Sequence, residues 1–249
     1  MNIVVCVKRV PDTETRVRIA GDGRSIEPEG VKYVLNPYDE FALEAALQTV
    51  EAAGGGEVCL LAYGDEGSKE TLRSGLAMGA DRAVLLKGEP TMDGLATASV
   101  LKGELEGMEA DLVLFGVKAI DGDQQQVGLM VGELLGRPCA SSVTEMTVGS
   151  GKVSARLAAE GGIQAVELDL PAVVTVTKGK YEPRYASLKG IMAAKRKPLE
   201  EKDAVSIGSA LMVESMELPP ARPEGRIVGE GPEAAVDLAR LLREEAKVI

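Results

Sequence analysis

Histidine and tryptophan are absent from this 249-residue chain, which holds only three cysteines, two phenylalanines and five tyrosines. Without histidine, the chain lacks the side chain that most often serves as a general base near neutral pH, and also the commonest metal ligand. The three cysteines, Cys6, Cys59 and Cys139, are too dispersed for a Cys-X-X-Cys pair, and no zinc site or catalytic triad is expected. Cys6 and Cys59 lie in apolar runs, which suits reduced, buried thiols rather than a disulfide framework. Basic residues are also scarce, with 28 Lys and Arg against 39 Asp and Glu and a net charge of −11. A surface that neutralises nucleic-acid phosphates needs the opposite balance, so no nucleic-acid partner is expected. No uninterrupted apolar run approaches the ~20 residues of a membrane span. The chain enters on Met1-Asn2-Ile3-Val4-Val5 without a charged leader, so a cytoplasmic protein, not embedded in a membrane, is expected.

What is present is a repeated alternation. Residues 2–7, 57–62, 82–86 and 111–115 are short runs rich in Val and Leu, separated by longer segments with helical spacing. Strands buried on both faces look continuously apolar, so these four predict a mostly parallel sheet with helices on both faces, an α/β fold. Ligands of such sheets bind at the carboxyl ends of the strands. The first helix has Asn36 as its expected cap, Pro37 at its first position and Asp39 in its first turn. A second helix is expected over 68–78, ending at Gly79. A third should begin near Thr91 or Met92, and a fourth should run from about Gln124 to Leu135 with Gly136 as its stop. Residues 139–147, 152–159, 163–169 and 172–177 read as an added antiparallel portion. Beyond Lys178 the chain is charged and punctuated by Pro183, Pro198, Pro219, Pro220 and Pro223. An amphipathic helix over about 232–247 closes it. This C-terminal arm has two equally good places to pack, a partner or its own domain.

The stretch Gly116-Val117-Lys118-Ala119-Ile120-Asp121-Gly122-Asp123-Gln124-Gln125-Gln126-Val127-Gly128 follows an apolar strand and opens a helix. Backbone N–H groups and the positive helix end can cradle phosphate at that location. Gly116 and Gly122 permit close backbone approach, and Lys118 can supply charge. The spacing matches neither the Walker loop nor GxGxxG, so an ordinary βα loop fits equally well. Asp121 and Asp123 read more readily as caps than as metal ligands. Taken singly, Tyr63 reads as a strand-end aromatic and Cys6 as a small buried hydrophobe. Residues 184–198 read as a surface helix in which Ile191 and Met192 pack inward while Lys195, Arg196 and Lys197 face solvent.

Five segments in order change the weight of these readings. VKRVPDTE (from Val7), NPYDEFALEAAL (from Asn36), MGADRA (from Met78), GVKAIDGDQQQVG (from Gly116) and EPRYASLKGIMAAKRKP (from Glu182) together resemble the beta subunit of electron transfer flavoproteins. The resemblance covers the chain to about residue 200. It implies an adenine nucleotide alpha hydrolase-like fold and a heterodimer with an alpha subunit that holds most of one FAD. Electrons would come from acyl-CoA dehydrogenases and related flavin dehydrogenases and pass to a membrane quinone oxidoreductase, with a structural AMP in the beta chain. The chain would then carry no catalytic residues of its own. The resemblance assigns the AMP contacts to Cys6, Asn36, Pro37, Tyr38, Asp39, Tyr63, Gly116, Val117, Lys118, Ala119, Ile120, Asp121, Gly122, Asp123, Gln124, Gln125, Gln126 and Val127. Thr13 and Tyr38 match positions near the FAD, although Thr13 stands where some relatives have an aromatic. Arg184, Tyr185, Leu188, Ile191 and Met192 would dock the dehydrogenases, with Leu188 as the anchor. The implied divisions are a nucleotide-binding domain over 1–180, a recognition loop over 181–203 and a C-terminal arm over 204–249 packing on the partner subunit.

Three further readings stay open. A flavin-bifurcating relative would hold a second FAD in place of AMP. Such relatives place a Thr-Ala pair and a Pro near residues 123–129, which are absent here, although Val127-Gly128 fits their pattern. An ATP-using enzyme on the same fold needs a Ser/Gly-rich loop after the first strand, where this chain has Lys8-Arg9-Val10-Pro11-Asp12. A nucleotide sensor without redox partners would bind AMP and pair with no flavoprotein chain.

Overall fold

The computed structural model describes residues 1–221 and 224–249, so Pro223 lies outside the described residues. The four strands expected at the centre form as β1 (Asn2–Cys6), β4 (Glu57–Gly64), β5 (Arg82–Lys87) and β6 (Leu112–Gly116). Successive strand residues point to opposite faces, and every one of these strands feeds two cores. Ile3, Val5, Val58, Leu60, Ala83, Leu85, Leu112 and Leu114 face one side. Val4, Cys6, Cys59, Leu61, Val84, Leu86, Val113 and Phe115 face the other. Helices α1 (Pro37–Ala52) and α2 (Ser68–Met78) cover the first side with Leu43, Leu47, Leu72 and Leu76. Helices α3 (Gly94–Leu105) and α4 (Val127–Leu134) cover the second with Val100, Leu101, Leu105 and Val131. Burial on both faces is the reason these strands read as unbroken apolar runs.

The full sheet runs β11-β5-β4-β1-β6-β10-β7-β8-β9 among the described residues. From β1 the chain crosses through α1 to β4 and through α2 to β5, then returns through α3 to β6 on the other side of β1. The order reverses there, so the β1 and β6 carboxyl ends form a topological switch point, where α/β sheets open a crevice for ligands. Strands β7 (Cys139–Gly149), β8 (Lys152–Ala159) and β9 (Gly162–Asp169) form the expected antiparallel portion. The fourth segment does not join them in that way. Strand β10 (Ala172–Val176) is buried at every position and lies parallel between β6 and β7. Its unbroken apolar run was the mark of a central strand.

Several boundaries depart from expectation. Helix α3 starts at Gly94, because Asp93 accepts the Leu95 and Ala96 N–H groups and so caps it. Helix α4 starts at Val127, because Asp123 and Gln125 have φ of 53° and 54°, outside the helical region. A two-stranded ribbon of β2 (Arg9–Pro11) and β3 (Tyr33–Leu35) lies outside the main sheet and had no clear signal. The helix expected within 184–198 forms as the shorter α5 (Leu188–Ala194), and an edge strand that was not expected, β11 (Leu199–Asp203), follows it parallel to β5. Lys197 does not face solvent. Its ammonium donates to the Leu76, Gly79 and Ala80 carbonyls at the end of α2, where a cation meets free carbonyls and the negative helix end.

The chain separates into two units, Met1–Ser215 and Met216–Ile249. The second carries α6 (Ala234–Glu244), an amphipathic helix with no buried residue. No helix among the described residues is long and apolar enough to cross a membrane.

Candidate functional site

A cleft opens at the switch point. Its floor comes from the ends of β1 (Cys6, Val7, Lys8) and β6 (Phe115, Gly116), and Tyr63 of β4 stands beside them. Residues 122–128 form one wall, and Pro90, Thr91, Met92, Gly94, Thr97 and Leu101 form the other. The free space between these walls, counted with its solvent-open mouth, measures about 900 Å³.

Asp39 knits the floor together. The chain enters α1 through Asn36, which has an extended ψ of 124° because the following Pro37 excludes the helical region. This sets Asp39 in the first turn, pointing at the strand ends. One carboxylate oxygen accepts the Lys8 N–H at 2.7 Å and the other accepts the Gly116 N–H at 3.1 Å. Burial pushes the Asp39 carboxyl up to about 7, although the side chain of Asn36 and the two backbone donors favour its charged form. Gly116 must lack a side chain here: a Cβ would sit 2.4 Å from the Asp39 Oδ1 and 2.7 Å from the Asp39 nitrogen. The expected close approach is thus to α1 of the same chain. Gly122 has only Gln124 and Met92 side-chain atoms near the limit of contact.

Asn36 occupies the cap position of α1 but does not cap it with its side chain. Its amide instead donates to the Lys118 carbonyl at 2.8 Å, and its carbonyl oxygen accepts the Ile120 N–H at 3.2 Å. One side chain therefore satisfies two backbone groups of the loop across 82 and 84 residues of sequence. Asp121 and Asp123 do not cap α4 either. Asp121 pairs with Lys8 at 2.7 Å and Asp123 with Lys118 at 2.6 Å. Lys118 also stands 5.6 Å over the Tyr38 ring. The positive charge of Lys118 is therefore balanced within its own loop.

Asp123 and Gln125 are non-glycine residues in the left-handed region, which costs conformational energy and is common where backbone shape serves a site. The free N–H groups at the start of α4 follow directly, and such groups can bind an anion. The opposite lining is apolar: Tyr63, Met92, Leu101 and Phe115. This combination suits a ligand with a flat ring at one end and an anionic group at the other. The residues present fit a nucleotide.

Of the residues assigned from sequence, Cys6, Asp39, Tyr63, Gly116, Val117, Lys118, Ala119, Gly122, Asp123, Gln124, Gln125, Gln126 and Val127 line the cleft. Asn36, Pro37, Tyr38, Ile120 and Asp121 stand outside its lining, with Asn36 bonded to the loop at Lys118 and Ile120. Thr13 is exposed in the segment after β2. The wall from 90 to 101 was missed, since it has no glycine pattern. Its only signal was its place after a parallel strand.

A second feature lies over α1 and α2. The Arg184 guanidinium contacts Glu44 at 2.8 Å and Glu51 at 2.7 Å. Burial opposes charge on Glu44, but its bonds to Arg184 and Gln48 hold its carboxyl below the ordinary glutamate value. Beyond this clamp Tyr185 is 99% exposed, Leu188 83%, Met192 71% and Ile191 45%. Ile191 and Met192 therefore do not pack inward as their helical spacing suggested. Ser187 caps α5 through the Gly190 N–H, and Ala194 is its buried contact. Glu40, Phe41, Arg73, Ala77 and Met78 border an adjoining hollow of about 1600 Å³, counted in the same way with its open mouth.

The electron transfer flavoprotein domain family matches residues 24–206. The chain is 39% identical to the electron transfer flavoprotein subunit beta of Bradyrhizobium diazoefficiens over 249 residues, covering 100% of both. Identity is 39% to the Bacillus subtilis subunit beta over 260 residues, again with 100% of both covered. It is 35% to the Homo sapiens subunit beta over 256 residues, with 100% of this chain and 99% of the relative covered. With this full-length similarity, the chain belongs to the electron transfer flavoprotein family as a beta subunit.

Proposed function

We propose that this chain is one half of a heterodimer with an alpha subunit, that it holds AMP in the cleft at the switch point, and that one FAD, bound mainly by alpha, carries the electrons. The observation that carries this reading is the cleft lined by residues 116–119 and 122–128, with its left-handed residues and helix end opposite an apolar wall. Asp39 and Asn36 hold the shape of that loop. The flavin supplies the redox chemistry, and this chain supplies binding and positioning. Tyr38 and Thr13 lie toward the FAD of the partner. The charges of Lys8 and Lys118 are matched by Asp121 and Asp123, so the phosphate is held chiefly by backbone N–H groups.

Tyr185, Leu188, Ile191 and Met192 form the docking surface for acyl-CoA dehydrogenases and related flavin dehydrogenases. Arg184 fixes its base. A few apolar side chains within a charged rim of Lys189, Lys195 and Arg196 suit a small, transient interface. The reduced carrier, cytoplasmic in this reading, delivers its electrons to a membrane quinone oxidoreductase.

The test is the content of the complex purified with its alpha partner. One flavin and one AMP per heterodimer are expected. A complex without AMP overturns the assignment of the cleft, and two flavins indicate the bifurcating type with a second FAD. ATP turnover by the chain alone would return it to the ATP-using enzymes of this fold. AMP binding without pairing to a flavoprotein chain would make it a sensor.

A further inference from the structure

Asp93 uses its two carboxylate oxygens on different parts of the chain. Oδ1 accepts the Leu95 N–H at 2.9 Å and the Ala96 N–H at 3.2 Å, which starts α3. Oδ2 accepts the Ala210 N–H at 2.8 Å, with the Ser209 hydroxyl at 3.4 Å. Ser209 in turn donates to the Leu211 carbonyl at 2.7 Å, which shapes this turn. Residues 204–210 thus form a strap that leaves β11 and crosses the start of α3. Its other end is fixed where the Ala204 N–H meets the Lys87 carbonyl at 2.8 Å.

The segment between these two fixings, 88–94, is one lip of the cleft. Few other bonds hold it. The Tyr63 hydroxyl donates to the Glu89 carbonyl at 3.0 Å, and the Gln124 amide donates to the Met92 carbonyl at 3.1 Å across the cleft. Gly94 is packed so tightly on Gln126 that a Cβ would lie 2.5 Å from its Nε2. A small outward movement of the lip therefore separates the two walls. Buried among these contacts, Asp93 is, among the described residues, the one side chain that bonds the strap, the lip and the start of α3 together.

We propose that Asp93 is a positioning residue for the nucleotide cleft, tying the lip 88–94 to the strap 204–210 so that the strap holds the two walls at binding distance. The proposal rests on the nucleotide reading of the cleft. Its consequence is that nucleotide retention depends on residues 209 and 210, which do not line the cleft. By reciprocity, a bound nucleotide protects the strap.

Ala210→Pro removes the N–H donor, and Asp93→Asn keeps a good helix cap while weakening the bond to the strap. Both are made in the complex with the alpha subunit. Two quantities are measured: amide exchange of residues 88–96 and the rate of AMP loss on dilution. Loss of one bond to a carboxylate is expected to raise each about tenfold, with exchange within 98–105 unchanged. Unchanged exchange at 88–96 in both variants overturns the tie. Faster exchange with wild-type AMP release overturns the positioning role. Exchange raised equally through 98–105 means a structural cap alone and also overturns it. If the wild-type complex holds no AMP, the nucleotide reading of the cleft fails, and with it the positioning role. The exchange readout then separately decides whether the tie exists.

Discussion

The cleft and the 184–198 segment lie on the same sheet scaffold but are built in opposite ways. In the cleft nearly every polar group already has a partner in the chain: Asn36 bonds the loop, Asp39 bonds two strand ends, and Lys8 and Lys118 are paired. Recognition is left to backbone shape. In the segment Arg184 on Glu44 and Glu51 at one end, and Lys197 on the end of α2 at the other, hold a display of exposed Tyr185, Leu188 and Met192. A ligand that stays needs a preorganised floor, whereas partners that come and go need side chains already in solvent.

Substitutions can break this contrast. The largest effect is expected at the floor, where Gly116→Ala would push a methyl into the backbone of Tyr38 and Asp39. Thermal unfolding should show a loss of about 3 kcal/mol, typical of severe overpacking, together with loss of nucleotide. Arg184→Ala should cost about 2–3 kcal/mol, between an exposed and a fully buried ion pair, since Glu44 would stay buried without its partner. Because Glu44 titrates below its ordinary value, the clamp contributes above the ordinary glutamate range. Its contribution is lost as pH falls through the lowered value, so the gap between wild type and variant should close in acid.

Asp39 has the reverse sign. Its carboxyl is raised to about 7, so folding takes up a proton between the ordinary aspartate range and neutrality. Its contribution is complete in acid and fades as pH rises. From pH 5 to 8 the wild type should lose on the order of 2 kcal/mol relative to Asp39→Asn, measured by denaturant unfolding at each pH. Leu188→Ala should change stability by less than about 0.5 kcal/mol, as surface changes do. It should still slow flavin reduction by an acyl-CoA dehydrogenase about tenfold if the residue anchors docking. The smallest signal is chemical. Burial pushes the Cys59 thiol up to about 12 and raises Cys6 well above its ordinary value. Both should resist a disulfide reagent until the protein unfolds.

The parts legible in sequence were those set by near neighbours. Unbroken apolar runs announced β1, β4, β5 and β6, and Pro37, Gly79 and Gly136 marked helix limits, because burial on both faces, proline geometry and glycine stops all show within a few residues. The 116–128 loop could be located by its place after β6, but the sequence left its phosphate role no better than even. Only the ordered series of family segments weighted it further. The 90–101 wall had no pattern of its own and stayed hidden.

By itself the sequence determined a parallel α/β sheet, buried thiols and a loop at its carboxyl edge, since these follow from composition and short-range pattern. Tertiary structure decided what each polar group does. It moved β10 into the centre of the sheet and put β11 at its edge. It also turned Asn36 from a helix cap into a brace for the loop and made Lys197 a cap for α2. Arg184 met Glu44 across 140 residues. Such pairings depend on which groups the fold leaves without water, and that is settled only when distant segments have packed together.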